Sequence, residues 1–230
     1  MKIQEVVQRY AAGERNFRGV DLSGVDLSGV VLYKASLSVA NLCGANLSRA
    51  DLREANLGWA KLSRADMRGA DLSKANLSDA DLRGADLSRA DLSGANLRGA
   101  DLSGANLRGA DLWSAALNGA ILREANLNGT DLRFANLEGA NLAHVVLSRA
   151  NLWFANLSGT NLQEASLTKA DLWLTNLSKA NLNKADLSDA HLSETDLEGA
   201  NLEWARISEE QLSHAVSLKE AILPDGTQHP

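Results

Sequence analysis

Residues 91–110 read DLSGA-NLRGA-DLSGA-NLRGA, one five-residue unit four times over. Extended in both directions from this stretch, the unit holds without insertion or deletion from Phe17 to Leu212. A comb of every fifth residue has 40 positions in that span, of which leucine fills 37; Phe17, Met67 and Ile207 fill the others. Only Leu174, Leu218 and Leu223 lie off it. Two residues before each comb position, the 38 sites from 20 to 205 hold 30 alanines, four valines and four threonines. The residue just before the leucine is Asp or Asn in 29 of 38 units, so the unit is A-(D/N)-L-x-x.

A period of five suits neither a 3.6-residue helix nor a two-residue strand alternation. Sustained over some two hundred residues, it describes a coil that returns a residue to the axis at every fifth step. The leucine fills that axis, and the alanine is small enough for neighbouring backbones to close up. Asp or Asn beside the leucine can hydrogen-bond nearby backbone and so fix the bend. The two remaining positions, rich in Ser, Gly and Arg, face water.

These A-(D/N)-L-x-x units resemble the pentapeptide-repeat family across nearly the whole chain. The resemblance implies an all-β fold, a right-handed quadrilateral parallel β-helix with four pentapeptides per 20-residue coil. The residues carry their own check on the number four. One column in steps of twenty reads Asn16, Asn56, Asn76, Asn96, Asn136, Asn156 and Asn176, with Asp196 the late exception; another reads Asp51, Asp71, Asp91, Asp111, Asp131 and Asp171, with Asn151 the exception. A period of twenty sorts the two residue types. Forty units make about ten coils, a rod about 48 Å long at ~4.8 Å per coil.

Three segments are expected. Residues 1–14 read as an N-terminal capping helix, with Ile3, Val6, Val7, Tyr10 and Ala11 on one face and Gly13 ending it. Residues 15–207 form the β-helix. Residues 208–230 form a C-terminal cap and tail, opened by the capping box Ser208-Glu209-Glu210-Gln211. The flanks VQRYAAGERNF and AILPDGT are similar to those of cyanobacterial members of the family.

Composition excludes several functions. One cysteine, Cys43, allows no internal disulfide and no thiolate metal cluster. The net charge of −6 argues against direct nucleic-acid binding through general basicity. No apolar run approaches a membrane span, and the first residues lack an export signal, so a cytoplasmic chain without membrane contact is expected. His144, His191, His214 and His229 have no triad partners at a recognisable spacing. The nearest approach to a metal site, His191 with Glu194 and His214, is set aside because the C-terminal helix interrupts the stacking. Neither metal nor cofactor is expected, and the chain reads as no enzyme.

The outward positions therefore carry the specificity. Six of the eight outward aromatics share one of four faces: Tyr33, Trp113, Phe134, Trp153, Phe154 and Trp173. Five lie on consecutive coils, with Leu174 beside them and Arg133 among them, and Asp111, Asp131 and Asp171 stand on the same face. Aromatics around an arginine have the composition of binding hot spots. The expected role is a protein-interaction scaffold, engaging a protein partner or a second copy through this face. A stabilising aromatic ladder is the plainer reading of the same residues. The neighbouring column of Arg49, Arg68, Arg89, Arg108, Arg149 and Lys169 reads as a solvated face that balances nearby aspartates. The alternative function comes from the resemblance: some members mimic DNA and bind the type II topoisomerase gyrase. It fits less well, because residues 49–108 carry ten Lys or Arg against nine Asp or Glu.

Overall fold

A computed structural model describes residues 3–230, the side chain of Ile3 excepted. Parallel bridges join residues twenty apart along the chain, Asp71 to Asp91, Asn76 to Asn96, Asp81 to Asp101 and Asp86 to Asn106 among them. Four pentapeptides therefore close one coil, and coils stack into a four-sided solenoid. The faces are here called the asparagine face (16–20 and every twenty on), the second face (21–25), the cationic face (26–30) and the aromatic face (31–35).

Each pentapeptide makes the same hydrogen bonds. In coil 91–110 the Asp91 N–H donates to Ala70 O of the coil before, at 2.9 Å, and the Leu92 N–H donates to Asp111 O of the coil after, at 2.7 Å. The corner closes locally, as where Ala90 N–H donates to Leu87 O at 3.0 Å. Its third residue, Arg89 in that turn, takes φ +58°, the left-handed geometry a type II turn requires. Gly94, Gly104 and Gly109 fill the same position elsewhere, which is why glycine is so common there.

The comb leucines are buried without exception from Leu22 to Leu202, and so are the alanines two residues before the comb, from Ala35 to Ala205. Each fully buried leucine contributes about 1.5–3 kcal/mol. The four threonines of the alanine column are buried too, and each hydroxyl donates to a backbone carbonyl: Thr160 to Leu157 O and Thr175 to Leu152 O at 2.7 Å, Thr195 to Leu172 O at 2.8 Å, and Thr130 to Leu127 O. The Asp and Asn side chains fix the bend as expected, with Oδ1 accepting from the N–H two residues on, as from Ser93 to Asp91 at 2.9 Å. Asparagine adds a second bond. Asn96 Nδ2 donates to Asn76 Oδ1 at 3.0 Å, and Asn76 Nδ2 to Asn56 Oδ1 at 3.1 Å, one coil to the next.

Helix α1 (Ile3–Ala11) covers the first coil. Gly13 ends it at φ +93°, with Gly13 N–H donating to Tyr10 O and Glu14 N–H to Arg9 O, a Schellman motif. Of the side chains expected on its inner face, Val6 is buried and Tyr10 half-buried. Val7 is 45% exposed and Ala11 is exposed, because a nine-residue helix lying across an end presents only a narrow stripe to it.

Helix α2 (Glu209–Leu212) forms the expected capping box between Ser208 and Gln211. Gln211 Nε2 also donates to Leu187 O and Ala190 O, both at 2.8 Å, meeting the Ala190 carbonyl that no further coil reaches and adding to the Ala190 N–H already on Leu187 O. The segment after α2, read from sequence as a tail, rejoins the ladder. Ser217 pairs with Asp196 and Ile222 with Asn201, twenty-one residues apart instead of twenty. Leu218 and Leu223 are thus comb leucines displaced by one residue, with Ala221 buried between them.

Candidate functional site

The aromatic face assembles its side chains because they sit one coil apart at the two outward positions. Phe134 and Phe154 stack face to face, their ring centroids 5.1 Å apart and their planes 4° from parallel. Trp113 meets Phe134 edge-on at 6.3 Å. Trp173 meets Phe154 edge-on at 5.1 Å and Trp153 edge-on at 5.3 Å. Five rings form one continuous set over four coils, and Leu174 extends it. Tyr33 stands apart, its hydroxyl donating to Glu54 Oε1 at 3.0 Å.

Much of this set remains in water. Phe134 is 50% exposed, Trp113 46%, Phe154 43% and Leu174 38%. Trp153 and Trp173 are half-buried, and the Trp153 indole N–H is shielded without an acceptor. Phe134, Phe154 and Leu174 occupy the left-handed corner position at φ +60°, +57° and +53°. An L-residue there costs about 1–2 kcal/mol that glycine avoids. Packing of the axis makes no use of these three side chains.

The charged members of the predicted site are tied to this face. Arg133 clasps Asp131 through Nε to Oδ1 at 2.9 Å and Nη2 to Oδ2 at 2.6 Å. Burial pushes the Asp131 carboxyl up, but the guanidinium and the residue-133 N–H outweigh it and hold the carboxyl below its ordinary range. Arg133 is therefore half of an ion pair within the face. Asp111 Oδ1 accepts the Trp113 N–H at 2.9 Å, and Asp171 Oδ1 accepts the Trp173 N–H at 3.4 Å while lying 3.1 Å from His191 Nδ1. The aspartates hold the backbone that carries the tryptophans.

No group of three metal-ligating side chains occurs among the described residues. Glu194 N–H does donate to His214 O, so the C-terminal segment stacks on that coil even though α2 intervenes. Cys43 is half-buried, accepts from Ser63 Oγ at 3.3 Å, and lines a small surface hollow with Arg64 and Arg83 of the next two coils. No helix of the described residues is long and apolar enough to cross a membrane.

The family model for pentapeptide repeats matches in eight copies between residues 16 and 208. The chain belongs to the pentapeptide-repeat family. Its fold is accordingly the right-handed quadrilateral β-helix of that family. Over the full length of both chains it is 38% identical to HetL, a pentapeptide repeat protein involved in heterocyst differentiation regulation from the cyanobacterium Nostoc sp. strain PCC 7120, with a TM-score of 0.58. A pentapeptide repeat protein of the Arabidopsis thaliana thylakoid lumen is 35% identical over 45% of this chain and 68% of its own, with a TM-score of 0.34. QnrB1, a plasmid-mediated fluoroquinolone resistance protein, is 19% identical over 78% of this chain and 87% of its own, with a TM-score of 0.46. No curated protein matches the chain.

Proposed function

We propose that this repeat protein is a non-enzymatic interaction scaffold whose aromatic face, from Trp113 to Leu174, docks a protein partner or a second copy. The observation that carries the reading is the exposed stack itself: five rings in mutual contact, two of them and Leu174 held in a backbone geometry that disfavours them. An aromatic side chain buries up to 150–250 Å² when covered, so a partner gains a large apolar area here. A regulatory setting is proposed from the likeness to HetL. The DNA-mimic reading has less support, because a mimic needs acidic surface along the rod and one face of this rod carries six cations against two carboxylates between residues 46 and 170.

The test replaces Trp153 and Trp173 together with serine. Sedimentation of the pure protein, and capture from the source cell's extract, measure association with a copy or a partner. The variant is expected to lose the association and keep its melting temperature within a few degrees. A variant that melts far lower while associating as before would make the stack a structural ladder and end the scaffold reading of this face.

A further inference from the structure

On the cationic face, Arg49, Arg68, Arg89, Arg108 and Arg149 line a groove of about 770 Å³. All five are exposed. The sequence suggests that they balance nearby aspartates, yet only Arg68 does so, clasping Asp66 through two hydrogen bonds of 2.8 and 2.6 Å. Among the described residues, the other four have no carboxylate within 4.0 Å. Asp86, the other carboxylate nearby, is already held by the Ser88 N–H at 2.9 Å and Asn106 Nδ2 at 3.1 Å.

The imbalance is confined to this face. Between residues 46 and 170 it carries six cations and two carboxylates, in a chain whose net charge is −6. The adjoining aromatic face, residues 51 to 175, carries three cations and seven carboxylates. The groove also has a shaped floor. The arginines alternate between the two outward positions, and the stems of Arg49 and Arg89 lie over Gly69 and Gly109, where a Cβ would come 4.0 Å from each Cγ. Stacked guanidiniums repel one another unless an anion lies among them, and each can grip a carboxylate with two parallel hydrogen bonds.

We infer that this groove is a docking surface for an acidic α-helix of a partner protein. The pitch selects a helix. Carboxylates at successive i, i+3 or i+4 positions climb ~5.4 Å per turn, against ~4.8 Å per coil of the solenoid. From Arg49 to Arg108 the mismatch accumulates to about 2 Å, which long arginine side chains absorb. An extended strand presents same-side residues ~6.7 Å apart and falls out of step by roughly 6 Å over the same coils. A duplex nucleic acid, wider than one five-residue face, would overhang the carboxylates of the aromatic face.

The probe is a fluorescein-labelled, alanine-based helical 17-mer with glutamates spaced alternately three and four residues apart, which keeps them on one face at ~5.4 Å per turn, followed by fluorescence anisotropy. Its controls are a reordered peptide of the same composition and a 20-base-pair DNA duplex. We expect the helical peptide to bind, to bind more tightly than the reordered one, and to weaken steeply between 50 and 500 mM NaCl. The R49Q/R89Q/R108Q variant, with side-chain stems largely kept and melting temperature unchanged, should bind it at least tenfold more weakly. The W153S/W173S variant should bind it as the parent does, which separates this proposal from the aromatic docking face. No binding at millimolar peptide, equal binding by the arginine variant, tighter binding of the duplex, or loss in the tryptophan variant alone would each overturn the inference.

Discussion

Replacing Asp91 by asparagine should stabilise the rod, and by an amount the ladder geometry sets. Asp91 bridges to Asp71 on one side and Asp111 on the other, so three carboxylates stand in one column. None of the Asp91 oxygens forms an ion pair within 4.0 Å, and the side chain is only half-buried. At ~4.8 Å in water each neighbouring pair repels by roughly 0.9 kcal/mol, about 1.7 kcal/mol for the two. With a Debye length of about 10 Å at 0.1 M salt, roughly 1 kcal/mol of that survives, and little survives at 1 M. Asparagine also brings a donor. Asn106 Nδ2 already reaches Asp86 Oδ1 at 3.1 Å, and an asparagine at 91 would reach Asp71 in the same way, adding about 1 kcal/mol. The bond from the Ser93 N–H to Oδ1 is kept. For a chain of this size, about 2 kcal/mol raises the melting temperature by roughly 4–8 °C. Thermal unfolding followed by circular dichroism at 0.1 M and 1 M NaCl measures both parts. A melting temperature that does not rise, or a gain that does not shrink in high salt, would refute the reasoning.

Three further outcomes follow from the same structure. Ala90→Leu forces a larger side chain into the closed axis and should cost about 1–3 kcal/mol, whereas Ser88→Leu at an outward position should stay within about 0.5 kcal/mol; urea unfolding compares the two. Gln211→Ala removes a capping-box partner, leaves Ala190 O unmet and leaves Leu187 O with the Ala190 N–H alone, so a loss of about 1–3 kcal/mol is expected, with amide exchange accelerating first in residues 186–206. Arg68 and Arg83 hydrogen-bond the carboxyls of Asp66 and Asp81 and hold them below the ordinary carboxylate range. The unfolded chain therefore takes up protons first as pH falls, and stability present at neutral pH should drain below about pH 4. An R68Q/R83Q variant should show a shallower acid decline in melting temperature between pH 7 and 2.5.

Nearly all of the solenoid is legible because its two inward columns tolerate almost nothing but leucine and alanine. A comb that strict fixes the period, and the Asp and Asn columns fix the number of faces. The return of the chain after α2 is not legible in that way, because the helix shifts the comb by one residue and puts Leu218 and Leu223 off the count. Two leucines five apart around Ala221 were the available signal. The aromatic set could be placed on one face from residue numbers, but not its contacts, since ring orientation depends on rotamers that the repeat does not dictate. Arg133 and the arginine column show the same limit. Sequence puts Arg133 near both Asp131 and the rings, and only coordinates give it to Asp131. Proximity in sequence likewise suggests that Arg49, Arg89 and Arg108 are neutralised, whereas their side chains leave toward the groove.

The uniformity of the coils has a consequence for recognition along the rod. A lattice with one repeat distance has translational symmetry, so a ligand gripping only repeating features would bind equally well after sliding by ~4.8 Å. Position can then be encoded only where the pattern breaks. Asn128 and Gly129 interrupt the arginine column between Arg108 and Arg149, Asn151 interrupts the aspartate column, and the rings begin abruptly at Trp113. All three defects fall between residues 108 and 153, on two adjoining faces. On these two faces they give the middle of the rod a fixed position that a ligand gripping both columns could find.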